Sequence, residues 1–480
     1  MNQFDVAVIG LGPVGAVMAG LFGVCGLQVL VIERETDVLD LPRAVHFDDE
    51  AMRVFQTLGI ADQVAAVSRV NKGMRFVDAG GQTLLDWPRP QQESAQGWYP
   101  SYRFHQPDLE RILRARLEEM PNVRICLGTE LIELVQDGDV VHLTTSAAPA
   151  TVLAVVGCDG ARSTVRANIG GGTEDLGFHE RWLVVDALLE RDRPDLGDLT
   201  IQHCEPSRPM TYVRGPGLRR RWEITALSEE TDAELTKPET VFRFLDRWIT
   251  LAEATLERAA VYTFHSVLAE RWRSGRLFVA GDAAHQTPPF MGQGLCMGVR
   301  DASNLAWKLA AWLRGASDVI LDSYQTERAP HARTYIETAV RLGRLINTSE
   351  TEATLLAALR RPDGTAHMDS LNRPLGPGLG CSSNPARGWL SPQPRLANGQ
   401  LLDDLVGYEP VCLARDHSRD VHAPIRVITP LEAPDVTDVL DRYDAYALAV
   451  RPDRHIHGAA TTLAGLSDLM IDLRSITNPA

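Results

Sequence analysis

What the 480-residue chain lacks narrows its class first. Its seven cysteines, at positions 25, 126, 158, 204, 296, 381 and 412, form no C-x-x-C pair. Their odd number and scatter argue against a disulfide framework, a structural zinc site or a dithiol redox motif, and fit a reducing cytoplasm. No run of about 18 apolar residues occurs, so no membrane span is expected. Apolar residues begin at Phe4 and a Gly-rich turn follows at once, so no signal peptide is expected either. Bases are in deficit: 48 Lys and Arg against 63 Asp and Glu give a formal charge of −15. Such a surface repels phosphate backbones and makes nucleic acid an unsuitable partner. Arg219 to Arg221 is a local basic spot, read as a solvated face beside a turn. The 13 histidines show no metal-ligand pairing, and His455-Ile456-His457, the closest pair, reads as a surface feature.

What is present is ordinary globular composition, 44% hydrophobic and 23% charged, in a chain long enough for two or three domains. Phe4 to Ile9 is a short Val/Ile-rich run, the pattern of a buried strand. A glycine turn follows, then a helix from Val14 to Cys25 and a second buried strand from Gln28 to Ile32. Strand, turn, helix and strand in about 30 residues is a βαβ unit. From about 175 to 275 the pattern changes to strands such as 182–189, 200–203, 210–213 and 221–226, expected to form an inserted, mainly antiparallel sheet. Long helices are predicted over 294–313 and 323–346. The resulting division is α/β: a Rossmann-like domain over 1–174, a β-sheet domain over 175–275, a return segment with long helices over 276–349, an irregular arm over 350–400, and a small α/β module over 401–480.

Three segments carry chemistry. Gly10-Leu11-Gly12-Pro13-Val14-Gly15 is a G-x-G-x-x-G between a strand and a helix, the context that gives this motif meaning. Gly10 permits the tight turn, Gly12 lets the backbone approach a pyrophosphate, and Gly15 lets helix and sheet pack closely. The helix start after Pro13 offers free amides and a positive dipole end to phosphates. Glu33 closes the second strand, where a carboxylate accepts bonds from ribose hydroxyls. In the second segment a strand delivers Gly281-Asp282 into a turn of small residues, placing a carboxylate where it can bond a polyol. The third, Pro288 to Gly294, is a Gly-rich loop feeding another helix start, suited to negative charge. Cys158-Asp159-Gly160-Ala161-Arg162-Ser163, taken alone, reads as a structural turn with helix caps, and Asp301 and Asn304 read as solvated or capping residues.

Together and in this order, the motifs resemble those of the class A flavoprotein monooxygenases, the p-hydroxybenzoate hydroxylase-like aromatic hydroxylases, most closely the 3-(3-hydroxyphenyl)propionate hydroxylase type. The resemblance spans residues 1 to about 345. It extends through Arg43-Ala44-Val45, Phe104-His105-Gln106-Pro107, Ile201 to Cys204 with Thr211-Tyr212-Val213, and Asn304 to Lys308. The tail is similar, more weakly, to the thioredoxin-like module of this group, through Gln400 to Asp404 and Val450 to Asp453. The resemblance implies FAD as cofactor, NADH or NADPH as electron donor, and hydroxylation of a phenolic substrate by O2 through a flavin hydroperoxide. It implies that Gly10, Gly12, Pro13, Gly15, Glu33 and Arg34 hold the adenosine and pyrophosphate half of FAD. Arg43, Gln106, Asp159, Arg162, Gly281 and Asp282 would meet the phosphate, ribityl and nicotinamide-linked groups, and Gly292, Gly294 and Leu295 the ring. Pro288 would lie over the reacting edge of the ring. His203 and Tyr212, in the inserted sheet, are the expected substrate contacts. Leu295-Cys296-Met297 stands where family members often carry Met-Asn, a departure that bears on ring tuning. A monomer or homodimer is expected.

Other readings remain open at this stage. Baeyer–Villiger oxidation or epoxidation of a polyketide-like substrate would use the same cofactor and fold. A nicotinamide-dependent dehydrogenase would explain residues 1–33 but leave Gly281-Asp282 and Gly292 to Gly294 without a role. The W-x-W motif of flavin halogenases is absent.

Overall fold

A computed structural model describes residues 4–39, 43–347, 359–360, 366, 368, 371–380, 384–416 and 425–477. Five parallel strands form the heart of the first sheet, in the order Leu277–Val279, Ala150–Gly157, Phe4–Ile9, Val29–Ile32 and Val123–Cys126. Val29–Ile32, Leu277–Val279 and the stretches 6–9 and 154–157 are apolar and buried, as burial on both faces requires, while the edge strand Val123–Cys126 carries the exposed Arg124. The Pro13–Val24 helix packs against this sheet, and the Gly294–Leu313 helix packs on that helix. The register aligns Ile9 with Gly157 and Ile32, and Gly157 with Val279. The chain therefore leaves four adjacent strands at one edge, through Gly10, Glu33, Cys158 and Ala280. Ligands of open α/β sheets bind at such carboxyl ends.

The second sheet has eight strands, ordered His285–Gln286, Ala254–Ala269, Thr173–Leu189, Arg219–Thr225, Met210–Arg214, Thr200–Cys204, Gly73–Asp78 and Thr83–Pro88. Its pairings are antiparallel except that between Thr200–Cys204 and Gly73–Asp78. The hairpin at 73–88, assigned from sequence to the first domain, thus belongs to the second sheet. The boundary at 174 also gives way: the Thr173–Leu189 strand starts before it. One face of this sheet is covered by Leu235, Val241, Phe242, Leu245 and Ile249. The other meets the first domain.

Beyond the arm, which lies mostly outside the described residues up to 383, a four-stranded mixed sheet runs Arg426–Ile428, Val411–Ala414, Ala447–Val450, Ile456–Ala460. Leu463–Thr477 packs on one face and Val436–Arg442 on the other. Buried ion pairs fasten this module to the first domain. Asp403 pairs with Arg53 at 2.8 Å, and Glu327 pairs with Lys308 at 2.6 Å and with Arg451 at 2.8 Å. Arg220, Arg221, His455 and His457, read from sequence as surface residues, are all buried. Among the described residues no helix is long and apolar enough to cross a membrane.

Candidate functional site

The glycines of the first loop have three different reasons to be glycine. Gly10 has φ +96°, and a Cβ there would lie 2.6 Å from the Cys158 carbonyl oxygen. A Cβ on Gly15 would lie 2.0 Å from the Gly10 carbonyl oxygen, so only glycine lets the helix start so close to the strand. Gly12 has an ordinary φ of −67°, and a Cβ there would meet no atom within 4 Å. Neither conformation nor internal packing demands glycine at 12; what it leaves is an unobstructed approach to the backbone at the helix start, where Pro13 opens the first turn. Glu33 is buried, its Oε2 accepting from the Leu11 amide at 2.6 Å and its Oε1 from the Glu35 amide at 2.8 Å. Arg34 instead points to solvent beside Glu35.

The second segment lies against the first. A Cβ on Gly281, φ +61°, would sit 3.2 Å from the Val14 side chain, and one on Gly298 would sit 2.4 Å from it. Asp301 fixes this turn from below. Its Oδ2 accepts from the Gly281 amide at 3.0 Å and bonds His285 Nε2 at 2.6 Å, while Oδ1 accepts from Arg328 Nε at 2.9 Å. Burial alone would raise the Asp301 carboxyl, but His285 and Arg328 outweigh it and hold it below the usual range. From sequence Asp301 and Asn304 read as solvated or capping residues; both are buried. Asp282 itself has exposed surface, yet the walls around it desolvate its carboxylate and raise its pKa against the pull of His285 and Arg43. Asp282 thus lines a cleft, open on one side and walled by protein on the others.

In the third segment Pro288 is buried and Gly292 turns through φ +65°, ψ 25° before the helix that begins at Gly294, with Leu295 buried in its first turn. His46 Nδ1 lies 3.1 Å from the Gly292 carbonyl and Nε2 lies 2.7 Å from Ser101 Oγ. A carbonyl only accepts, so the proton is assigned to Nδ1, and Ser101 donates to Nε2. Burial and then the Arg103 guanidinium push His46 down to about 3, which keeps that neutral tautomer. Arg300 donates to Gln293 Oε1 at 3.1 Å and pairs with Asp48 and Glu50.

Gln106 Oε1 accepts from the amides of Arg43 and Ala44 at 2.9 and 2.8 Å, so it shapes the Arg43 segment, and the Arg43 side chain is exposed. Asp159 caps the Thr164–Ile169 helix, accepting from the Thr164 and Val165 amides and from Ser163 Oγ. Its carboxylate is thereby engaged in the turn beneath Gly10, while Arg162 stands exposed beside it.

His203 and Tyr212 are not brought to these motifs. Cross-strand register aligns Tyr212 with Ile201 and Trp222, and His203 with Met210. This row is the apolar face covered by Leu235, Val241 and Leu245. Tyr212 is buried there and its hydroxyl has no hydrogen-bond partner among the described residues. His203 packs on Trp248 with ring centroids 5.4 Å apart, and burial, then Arg247, lowers it to about 4. The alternate residues point the other way. Arg221 donates from Nη1 to the Arg43 carbonyl at 2.8 Å, and Arg103 donates from Nη2 to Thr200 Oγ1 at 2.5 Å. The face bearing Thr200, Gln202, Thr211, Arg221 and Glu223 therefore meets the cofactor motifs. The alternation of charged Arg221 and Glu223 with apolar Trp222 and Ile224 was the signal available for this.

The residues present fit FAD. The open backbone at Gly12, the helix start behind it, Glu33 at the next strand end, and Asp282 lining the cleft from an adjacent strand are the donor and acceptor set that a dinucleotide with a ribityl chain requires.

Residues 3–339 match the FAD binding domain family. A probable NADH-specific resorcinol 4-hydroxylase of Rhodococcus jostii is 41% identical over 357 residues, covering 72% of this chain and 66% of that protein. The chain thus spans just under two thirds of that relative's length. A 3-(3-hydroxy-phenyl)propionate/3-hydroxycinnamic acid hydroxylase of a Mycobacterium strain is 32% identical over 516 aligned positions, covering 95% of this chain and 89% of that protein. Among solved structures, the flavin-dependent monooxygenase PieE, in complex with FAD and substrate, superposes with a TM-score of 0.83 over 100% of this chain and 99% of that one, at 22% identity.

Proposed function

The chain belongs to the FAD-dependent aromatic hydroxylases, and on that premise we propose that it uses NAD(P)H and O2 to add one hydroxyl group to a small phenol. The observation that carries the reading is the convergence of Gly10, Glu33, Cys158 and Ala280 at neighbouring strand ends, with Gly281 packed on Val14. A nicotinamide dehydrogenase gives the Gly281 turn no reason to be there.

When bound, FAD supplies hydride acceptance and O2 activation. The chain's part is to hold and shield. Glu33 takes the adenosine ribose, and Gly12 with the helix amides takes the pyrophosphate. Asp282 and Arg43 take the ribityl and phosphate groups, with Gln106 fixing the Arg43 backbone. The Gly294 and Leu295 amides, at the positive end of the Gly294–Leu313 helix, favour negative charge on the ring. Pro288 and the inner face of the second sheet wall off the reacting region, where excluded water matters most. Relatives named for resorcinol and 3-(3-hydroxyphenyl)propionate make a meta-substituted phenol the first candidate, with NADH as the first donor to try.

The test is a panel of phenols, including resorcinol and 3-(3-hydroxyphenyl)propionate, assayed with NADH and with NADPH for hydroxylated product per nicotinamide oxidised. At least one phenol should be hydroxylated with tight coupling. If all yield only hydrogen peroxide, the aromatic hydroxylase reading fails.

A further inference from the structure

Glu223 is the one carboxylate on the inner face of the second sheet that the fold leaves without a close partner among the described residues. Its neighbour on that face, Asp186, is engaged by Arg221 at 2.7 Å and by Arg258 at 3.2 Å. Glu223 is only 6% exposed, accepts no hydrogen bond from a described residue, and has its nearest cation, Arg221 Nη1, 3.9 Å away. A buried carboxylate without hydrogen bonds costs stability, and a catalytic role is one of the physical reasons a fold keeps such a group.

Its position can be triangulated. Arg221, two residues earlier and on the same face, bonds the Arg43 carbonyl. Arg103 interacts electrostatically with Glu223 and pairs in register with His46, which holds the Gly292 carbonyl. Glu223 therefore lies between the Arg43 segment and the Gly292 loop. Beside it in register is Thr211, whose hydroxyl donates to Gln202 on the next strand. That row forms a polar strip along the wall facing the cofactor motifs.

We propose that Glu223 receives the phenolic proton of the substrate. This rests on the phenol hydroxylase reading above. A phenol becomes a good carbon nucleophile as its O–H bond breaks. That proton forms a new O–H bond on Glu223, and the electron pair it leaves moves into the ring as the ring carbon bonds one oxygen of O2 that NAD(P)H has reduced by two electrons at the cofactor; the O–O bond breaks and the other oxygen leaves as water. The ring then loses the hydrogen of the attacked carbon, regains its aromaticity and takes a proton back on oxygen. Glu223 sheds its proton to water and is ready again. The surroundings suit a base: burial raises the carboxyl above its ordinary range, Arg221 opposes this, Asp186 adds to it, and Arg103 and Arg258 oppose it. A base closer in pKa to the working pH transfers protons more effectively.

The test uses FAD-loaded wild type, Glu223→Gln and Glu223→Asp, with a phenol that the wild type hydroxylates. FAD content reports folding of each variant. At pH 7 product formation by Glu223→Gln should fall on the order of 10²-fold, with hydrogen peroxide making up the nicotinamide oxidised. That deficit should shrink about tenfold per pH unit as solvent ionises the phenol itself, and Glu223→Asp should restore part of the rate. A merely structural role would give a deficit that pH does not relieve. A second readout needs only wild type. 3-Nitrophenol bound well below its own pKa should show the phenolate absorption band. Equal coupling in Glu223→Gln, a pH-independent deficit, or bound 3-nitrophenol that stays neutral would overturn the role of Glu223. Absence of any phenol product from wild type would instead sink the hydroxylase reading.

Discussion

Gly281 and Val14, from opposite ends of the first domain, are in contact: a Cβ on Gly281 would stand 3.2 Å from both γ-methyls of Val14. This contact joins the Gly-rich loop at the start of the chain to the Gly281-Asp282 turn, so one cofactor can touch both. Gly298 backs it, since a Cβ there would lie 2.4 Å from Val14 and 3.2 Å from Gly281 Cα. Gly298→Ala should push these elements apart, costing about 1–3 kcal/mol by overpacking, offset by up to about 1 kcal/mol from the better helix propensity of alanine. FAD per polypeptide, read from the flavin absorbance of purified protein, should drop. Full FAD content with an unchanged melting temperature would show that the contact does not set the site.

Asp301→Asn should be far more damaging. It removes the carboxylate charge that Arg328 Nε donates to and weakens the grip on the Gly281 amide. Breaking a buried ion pair costs about 3–5 kcal/mol. Chemical denaturation should show a loss of this size, and an Asp301→Asn protein as stable as wild type would contradict the assigned pairing.

Acid sensitivity should begin well above the carboxylate range. His46 is held neutral in the folded state, with its pKa lowered to about 3 from an unfolded value near 6.5. Between those values the unfolded chain binds the extra proton, so stability is fully present above pH 6.5 and falls with pH by up to about 1.4 kcal/mol per unit. Denaturation of wild type and His46→Asn from pH 7 to 4.5 should show a shallower slope in the variant. Parallel slopes would mean that His46 does not titrate with unfolding.

Much of the cofactor side was legible in the sequence because its signals are local. A Val/Ile run, a glycine turn and a helix announce the first unit, and Gly294–Leu313 could be bounded to the residue by its glycine loop and apolar length. Pairing over long distances was not legible. The hairpin at 73–88 finds its partner strand only at Thr200–Cys204, and nothing within either segment says so. Asp301 looked like a solvated helix residue because its burial comes from elements on several sides, among them Arg328 of the following long helix. For His203 and Tyr212 the strands were foreseen but not which face meets the flavin domain; that is set by how the sheet docks.

Substitutions on that outer face should accordingly leave the chemistry alone. Tyr212→Phe removes a buried hydroxyl that has no partner among the described residues, so stability should stay level or rise by up to about 1 kcal/mol, and coupling should match wild type. His203→Gln should likewise change the melting temperature more than the product yield. A collapse of product yield with intact folding in either variant would place that side chain in the substrate site after all.

On the function proposed above, one chain holds FAD across these strand ends and uses it to move oxygen onto a phenol. The most direct measurement is turnover of a phenol hydroxylated by the holoenzyme, under ¹⁸O2 with NADH or NADPH, with mass analysis of the product. Each new hydroxyl group should carry one ¹⁸O atom, with one nicotinamide oxidised per product. Oxygen drawn from water, or product formed without O2, would contradict the proposed function.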